Sequence, residues 1–568
     1  MVNADALPRP LRRIAGRRTR HPGVLLAAAA ICAVVFLPVV TLFLIALSGS
    51  GEDWPHLARN VLPGAARNTA TVILLVSAGT ALLGVATAWA TVAYEFPLRR
   101  VLSWALALPL AVPPYLAAYA FAEFFLFSGP PQTLLRALFG FASARDYWFP
   151  DIRTTGGVAL VMILVLYPYV YLTSRIAFLM QGRDIADVAR TLGARPARVF
   201  FGVLLPVSRP AIVAGVSLVL METVNDIGAS EYLGVPTITT AVFTTWINRS
   251  SLEGAAQLAM VMFVLVFALL MAEQWARRRL RFHDRRSTRM RARAARVQLT
   301  GPAAIAVPAG LLLPVLLGFG VPLYVFADYA SGRLDHLLNA ALASALFNTV
   351  LTSGLAALLT VALALVLIHA TRLSRSGATA ALTRLAMLGY ALPGTIVGLG
   401  LLFALARIDN TVDAAARAWL DVSTGLLLTG SAAAVVIACT IRFLALAESG
   451  IRSGLEKLPP SLDEVARSLG RSPAASAATV LLPLLRPAIL TAAVLVFVDT
   501  AKELSATILL RPFGFNTLAT LVYENASRAV VQEGSLAAIF IILTAMVPVI
   551  LLSQALSRDG SAPPQDRA

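Results

Sequence analysis

Four acidic side chains occupy matching positions in two long apolar runs of this 568-residue chain. Within each run the two acids are four residues apart, and the runs repeat at an offset of 277 (499 − 222). Acids at this spacing share one helix face, and acids at membrane depth usually face a cavity or a partner. Carboxylates are hard oxygen ligands that suit hard cations. The pattern predicts a cation pathway lined by Glu222, Asn225, Asp226, Asp499, Lys502 and Glu503.

A purely structural role for these residues is the alternative. Lys502 is able to neutralise Glu503, and Asn225 is able to bridge helices, without any contact to a substrate.

The helical rise puts Glu222 about 20 Å above Arg209, which is mid-membrane or beyond. Four tyrosines would add oxygen ligands, but such tyrosines more often pack between helices or anchor at the interface. The sequence therefore does not place Tyr115, Tyr119, Tyr167 and Tyr169 among the predicted pathway residues.

The composition is that of a membrane protein. Hydrophobic residues make up 58% of the chain and charged residues only 14%, whereas soluble globular domains carry about 25% charged residues. Apolar runs of about 20 residues are long enough to span a bilayer as helices. Twelve such runs occur, at about 24–47, 70–93, 101–127, 157–178, 208–232, 256–273, 303–326, 349–370, 384–406, 425–446, 484–509 and 535–554.

The positions of the basic residues predict the orientation. The net charge is +17, and arginines concentrate before the first run and between the sixth and seventh runs. With twelve spans these segments lie on one side, which the positive-inside rule makes the cytoplasm. Both termini should therefore be cytoplasmic in a bacterial inner-membrane protein, and a nucleic-acid partner is not expected. The scattered histidines and the two cysteines, both in apolar runs, predict no haem, disulfide framework or metal site.

The whole chain is a tandem repeat. Asn68-Thr69 recurs as Asn348-Thr349, and Ala111-Val112-Pro113-Pro114 recurs as Ala391-Leu392-Pro393-Gly394. Six spans per half make the repeat parallel, which argues against an inverted-repeat secondary transporter, although an ion-coupled transporter stays an alternative. The predicted fold is all-α, with domains at 24–275 and 301–556, a basic N-terminus at 1–23, an Arg-rich linker at 276–300 and a tail at 557–568.

A short polar module also occurs twice, as DVARTLG at 187–193 and EVARSLG at 464–470. In the second copy Leu462, Val465 and Leu469 share one helix face, and Gly470 is a natural helix stop. One interpretation is an amphipathic helix lying on the lipid surface. The other is a docking helix for a cytoplasmic partner, which recurrence favours because a two-fold partner needs two equal docks.

The extended module resembles the cytoplasmic signature of ABC-importer permeases. In the first copy, Asp187-Val188-Ala189 is followed by three residues, then Gly193, then nine residues, then Val203-Leu204-Leu205-Pro206. The second copy has the same spacing, from Glu464-Val465-Ala466 through Gly470 to Val480-Leu481-Leu482-Pro483. Asp replaces Glu in the first copy, and Val replaces Ala and Ile in both. The resemblance implies a type I importer fold with two fused permease domains and coupling helices at about 183–193 and 460–470. The coupling residues it implies are Asp187, Val188, Ala189, Leu192, Gly193, Glu464, Val465, Ala466, Leu469 and Gly470.

The resemblance also implies the partners. Each coupling helix would seat in one subunit of a cytoplasmic ABC ATPase homodimer, which would bind ATP and Mg. The chain contains no G-x-x-x-x-G-K-[ST] phosphate loop, so ATP hydrolysis is expected on a separate chain and no cofactor on this one. The permease itself would not be an enzyme.

The substrate expectation comes from a second resemblance. The stretch KELSATILLRPFGFNTLATLVYE, residues 502–524, is similar to the C-terminal half of fused ferric-iron importer permeases. This implies Fe(III) delivered by a periplasmic binding protein to the outer loops at about 233–254 and 510–534. Related fused permeases import thiamine and others import phosphonates, so thiamine, another small cation or a phosphonate stay alternatives. Glu253 and Glu533 recur in these loops and are weak candidates for docking the binding protein.

Overall fold

The structure is a computed structural model of the chain. It describes residues 22–49, 53–191, 196–279, 296–374, 376–459, 462, 465 and 468–558. Within these ranges the fold is all-α apart from one short parallel strand pair, Tyr94–Glu95 with Val297–Gln298. The all-α prediction is confirmed.

The membrane spans follow the predicted runs. Among the described residues, eleven helices are long and apolar enough to cross a membrane, and one sharply bent helix pair makes a twelfth. Each of the twelve overlaps one run predicted from the sequence. The spans are Pro22–Ser48, Asp53–Ala93, the pair Arg99–Ala111 and Pro114–Phe124, Thr155–Leu179, Phe200–Asn225, Leu252–Trp275, Ala303–Ser331, Ala340–Ser374, Gly394–Leu420, Ala433–Glu456, Ala477–Ala501 and Val531–Ile550.

Shorter elements extend or connect the spans. Three helices continue beyond the span bounds, as Thr155–Thr191, Leu252–Arg279 and Ser535–Arg558. Short α-helices lie at Pro130–Phe139, Pro196–Val199, Gly228–Tyr232, Ile238–Ile247, Gly377–Ala386, Pro473–Ser476, Thr507–Leu510 and Leu518–Ser527. The 3-10 helices are Leu108–Ala111, Leu334–Leu338, Met387–Ala391 and Val531–Gly534.

The third span is bent by 94° between its two helices. Val112, just before Pro113, has an extended backbone with φ −97 and ψ 113. A proline ring disfavours the helical conformation in the residue before it, so the helix stops here and a new one begins at Pro114. The repeated motif breaks the ninth predicted run, at about 384–406, in the same way: Leu392 has φ −72 and ψ 123, and the span helix begins after it, at Gly394.

The fifth and eleventh spans end earlier than the sequence predicted. The runs at 208–232 and 484–509 were expected to be continuous, but the helices end at Asn225 and Ala501. Short helices follow at Gly228–Tyr232 and Thr507–Leu510. Hydropathy does not reveal these breaks because the apolar character continues on both sides of them.

The first polar module differs from the predicted short, separate helix at about 183–193. Its described part, up to Thr191, is the end of the continuous helix Thr155–Thr191. In the second half, helix Ala433–Glu456 ends before Pro459. A proline terminates a helix there, whereas the corresponding stretch of the first half contains no proline.

Contacts divide the chain into two units that do not coincide with the two sequence halves. One unit comprises residues 1–41, 351–392 and 397–500; the other comprises 42–350, 393–396 and 501–568. In the first unit, the first span packs against the ninth so closely that a Cβ at Gly400 would lie 2.3 Å from the Pro38 carbonyl oxygen. In the second unit, the seventh span packs against the fourth, where a Cβ at Gly318 would lie 2.3 Å from the Leu164 carbonyl oxygen. The first span of each half therefore packs against the other half.

The outward faces of the spans are apolar. Leu44, Leu74, Leu82 and Leu358 expose between 59% and 76% of their surface. Helices satisfy their own backbone hydrogen bonds, so such surfaces are stable in hydrocarbon. This face is the one that contacts the lipid bilayer.

Candidate translocation centre

Four interrupted spans meet at one place in the second unit. Asn225, the last residue of the fifth-span helix, accepts a hydrogen bond through Oδ1 from the Gly394 N–H at 3.0 Å. The Ser505 hydroxyl donates to the Asn225 carbonyl oxygen at 3.0 Å. The Tyr115 hydroxyl donates to the Lys502 carbonyl oxygen at 3.5 Å. The breaks of spans three, five, nine and eleven are thus joined by hydrogen bonds, and Asn225 bridges helices as the structural alternative supposed, while its predicted role in a pathway stays a prediction.

Two of the predicted pathway acids cap the helices that follow the breaks. The Asp226 carboxylate accepts hydrogen bonds through Oδ2 from the N–H groups of Ala229 and Ser230, each at 3.1 Å. The Glu503 carboxylate accepts from the Ala506 N–H at 2.8 Å and the Thr507 N–H at 2.9 Å. The first N–H groups of a helix have no partner within the helix, and a side-chain oxygen satisfies them.

The other two predicted acids stand at equal positions in the two halves. Glu222 and Asp499 are each half-buried and four residues before the capping acid. Glu222 interacts electrostatically with Asp226. Lys502 is half-buried, next to the capping Glu503. Their role in a pathway stays a prediction.

Gly470 ends the described part of the second module with a left-handed backbone, at φ +77. This confirms the positive φ expected at the turn. Val465 and Leu469 expose 55% and 75% of their surface, so an apolar face is open to a partner. In the first copy the backbone is helical through Asp187, Val188 and Ala189, and their side chains lie outside the described part of the structure. Outside the described residues lie Leu192, Gly193, Glu464 and Ala466.

A π-helical turn precedes the Leu-Pro pair in both halves, at Phe200–Leu204 and Ala477–Leu481. The Leu205 N–H bonds to the Phe200 carbonyl, and the Leu482 N–H bonds to the Ala477 carbonyl. A proline ring clashes with the carbonyl four residues earlier, and widening the turn relieves this clash. The signature proline therefore sets how the chain leaves the module and enters the span.

The repeated Asn-Thr pair holds a short helix in each half, Ile238–Ile247 and Leu518–Ser527, which the sequence did not predict. The Asn68 amide donates to the Pro236 carbonyl at 3.0 Å, and the Thr69 hydroxyl accepts from the Ile238 N–H at 2.9 Å. In the second half, Asn348 donates to the Asn516 carbonyl at 2.9 Å, and Thr349 accepts from the Leu518 N–H at 2.8 Å. We call these contacts the Asn-Thr clasps. The sequence signal for these contacts was the recurrence of Asn68-Thr69 as Asn348-Thr349 at the offset of the repeat.

The two glutamates predicted to dock a binding protein differ in surroundings. Glu533 forms a salt bridge with Arg333 at 2.8 Å, and His336 Nδ1 lies 3.7 Å from the same carboxylate. Its charge is therefore engaged within the chain. Glu253 lies at the start of helix Leu252–Arg279 and packs beside Gly49.

An ion-pair cluster ties the end of the linker to the second span. Glu95 contacts Arg99 at 3.0 Å and Arg296 at 3.2 Å, beside the short strand pair. Burial acts to raise the pKa of Glu95, but the hydrogen bonds and positive charges of the two arginines outweigh it and lower the pKa. The carboxylate is thus held in its charged form.

Comparison with known proteins gives a consistent result. Residues 80–281 and 368–559 each match the family described as binding-protein-dependent transport system inner membrane component. The Fe(3+)-transport system permease protein FbpB 2 of Haemophilus influenzae is 26% identical over 497 residues, which cover 86% of this chain and 89% of the relative. The ferric transport system permease protein FbpB of Actinobacillus pleuropneumoniae is 25% identical over 433 residues, covering 71% and 58%. A putative 2-aminoethylphosphonate transport system permease protein PhnU of Salmonella choleraesuis is 28% identical over 255 residues, covering 43% and 88%.

Proposed function

Because this chain belongs to the family of binding-protein-dependent transport system inner membrane components, we propose that it carries Fe(III) across the membrane in an ATP-driven importer. The observation that carries the cargo assignment is the extent of similarity. The ferric relative matches 86% of the chain and thus both halves, whereas the phosphonate relative matches 43%. The fused arrangement is shared with the ferric relative.

A separate ATPase supplies the energy in this proposal. The chain has no phosphate-binding loop motif, and its two modules are suited to one ATPase subunit each. The exposed Val465 and Leu469 and the turn at Gly470 support docking at the second module. The partner is then a homodimer that binds ATP and Mg, and the permease binds no cofactor of its own.

The orientation follows from the same proposal. Both termini, the Arg-rich linker and both modules face the cytoplasm, and a periplasmic binding protein meets the opposite side. Impermeant thiol labelling tests this orientation, since the native Cys32 and Cys439 are both buried. We expect labelling from outside at Ser250→Cys and none at Ser468→Cys. The reverse result would contradict the orientation.

The cargo is tested by reconstitution. The permease is placed in proteoliposomes with its ATPase enclosed, and the binding protein loaded with radioactive Fe(III) is added outside. We expect uptake that requires enclosed ATP and persists when proton and sodium gradients are collapsed. Uptake of thiamine or a phosphonate instead of Fe(III) would refute the cargo, and uptake driven by an ion gradient without ATP would favour a secondary transporter.

A further inference from the structure

A row of oxygen atoms lies along the helix that follows the break in the third span. Tyr115, Tyr119 and Glu123 are spaced four residues apart on helix Pro114–Phe124, so they share one face. Tyr115 and Tyr119 expose only 4% and 1% of their surface. The row runs from the junction at Asn225 towards the outer end of the span.

Three residues on other elements extend this row, through two phenol–carboxylate hydrogen bonds. The Tyr329 hydroxyl donates to Glu123 Oε2 at 2.7 Å. The Tyr523 hydroxyl donates to Glu231 Oε2 at 2.8 Å. All of these residues belong to the second unit. We call the six residues the oxygen ladder: Tyr115, Tyr119, Glu123, Glu231, Tyr329 and Tyr523.

Tyr119 is the central member of the ladder. Its ring contacts the rings of Tyr115 and Tyr232, with centroids 5.9 Å and 4.5 Å away. Its phenol interacts electrostatically with Tyr115, Glu231 and Tyr523. Among the described residues, however, none forms a hydrogen bond with its hydroxyl. A phenol hydroxyl can both donate and accept a hydrogen bond, so the Tyr119 oxygen is available to a group that enters the ladder.

The second half of the chain shows that the fold itself does not require these oxygens. Helix Gly394–Leu420 follows the same proline break. At the matching offset of 280 (394 − 114), it carries Thr395, Leu399 and Phe403 in place of Tyr115, Tyr119 and Glu123. The repeated architecture is therefore built without a phenol or a carboxylate at the second and third positions.

We propose that the oxygen ladder binds Fe(III) directly and guides it from the outer face to the junction at Asn225. The proposal rests on the Fe(III) cargo proposed above. Phenolate and carboxylate are hard, anionic oxygen donors suited to a hard cation. Among the described residues no three His, Cys, Asp or Glu side chains lie close enough together to hold a metal, and the ladder differs from such a group because four of its six side chains are phenols. Each phenol that binds the ion loses its proton to water on the outer side.

A spectroscopic experiment tests the binding. Ferric nitrilotriacetate is titrated into the purified full-length permease in detergent, and the visible phenolate-to-iron charge-transfer band is recorded. We expect the band in the wild-type protein and an apparent affinity about tenfold lower in Tyr119→Phe and Tyr523→Phe, a typical loss at the edge of a metal site. The matched control is Tyr324→Phe, because Tyr324 lies on the same helix as Tyr329 but is 52% exposed.

A transport experiment tests the pathway. Fe(III) uptake and ATPase activity stimulated by the loaded binding protein are measured for the same variants, with thermal unfolding recorded to show that the rings still pack. We expect uptake to fall about tenfold in Tyr119→Phe while the stimulated ATPase activity persists. If the wild-type protein takes up Fe(III) but shows no charge-transfer band, the ladder is overturned and the cargo is not. The same conclusion follows if the Tyr119→Phe and Tyr523→Phe variants take up Fe(III) as fast as the wild-type protein. Absence of Fe(III) uptake by the wild-type protein would overturn both.

Discussion

At the scale of single residues, a substitution at Gly470 affects the backbone conformation without changing side-chain packing. Gly470 has φ +77, and among the described residues no atom lies within 4 Å of a Cβ built there. A β-branched residue would therefore suffer no clash, only the strain of the left-handed region, about 1–2 kcal/mol. We predict that Gly470→Val abolishes Fe(III) uptake and leaves membrane insertion intact, as measured by uptake alongside the amount of protein in the membrane.

The chain offers a matched control for that strain. Gly140 has φ +73 and is equally open, but it ends helix Pro130–Phe139 in a loop that belongs to neither polar module. Gly140→Val should retain most of the uptake, and Gly470→Asn should be milder than Gly470→Val because asparagine tolerates this conformation. Normal uptake by Gly470→Val would remove the basis for a coupling role of the module.

The capping position of Glu503 gives a second prediction. Glu503→Ala deprives two backbone N–H groups of their acceptor, so the free energy of unfolding should fall by about 0.5–2 kcal/mol. Thermal unfolding of the purified protein measures this loss. If Glu503 acted instead as the ion-pair partner of Lys502, removing both charges should restore stability. We expect no such rescue in the Glu503→Ala, Lys502→Ala double variant.

Sequence alone could not separate the two kinds of acid. Glu222 and Asp226 are both carboxylates in one apolar run, four residues apart. Whether such a carboxylate caps a helix depends on where the helix breaks, and the apolar pattern is the same on both sides of the break. The positive φ of Gly470 was predictable because a glycine after an amphipathic repeat is a local signal. A side-chain bond between distant segments has no local signal.

At the scale of elements, the Asn-Thr clasps predict equal effects in the two halves. Thr69→Val and Thr349→Val keep the side-chain shape but leave the N–H groups of Ile238 and Leu518 without their acceptor. Each change should lower the free energy of unfolding by about 1–3 kcal/mol, measured by thermal unfolding. Thr71→Val is the control, since its hydroxyl is exposed and bonds only within its own helix. A stability loss in one half alone would contradict the clasp as a repeated device.

The positions of the spans were predictable from the sequence, but their interruptions were not. Twenty-residue apolar runs fix where a chain can cross a bilayer. The Pro113-Pro114 pair is a clear local signal for a break, yet the sequence pattern marked it only as part of the repeat. The bend of 94° that it produces is what turns helix Pro114–Phe124, and with it the oxygen ladder, away from the direction of the preceding helix.

At the scale of the whole molecule, each half packs its first span against the other half. Gly400 of the ninth span approaches Pro38 of the first span within one unit. Gly318 of the seventh span approaches Leu164 of the fourth span within the other unit, so each contact joins one half of the chain to the other. The repeat identified the two halves but not this exchange, since hydropathy reports how apolar a run is and not which run it meets. The parallel repeat nevertheless predicts that equivalent positions act alike.

That symmetry is testable at the two acids that do not cap a helix. Glu222 and Asp499 are both half-buried at the same repeat position. If both line the cation pathway, Glu222→Gln and Asp499→Asn should each lower Fe(III) uptake about tenfold, which corresponds to about 1.4 kcal/mol of lost stabilisation. Uptake, thermal unfolding and ATPase stimulation are measured together, and the last two should change little. Stable, well-expressed variants with undiminished uptake would exclude the pathway role. Unequal losses would show that the two halves do not contribute equally to the cation pathway.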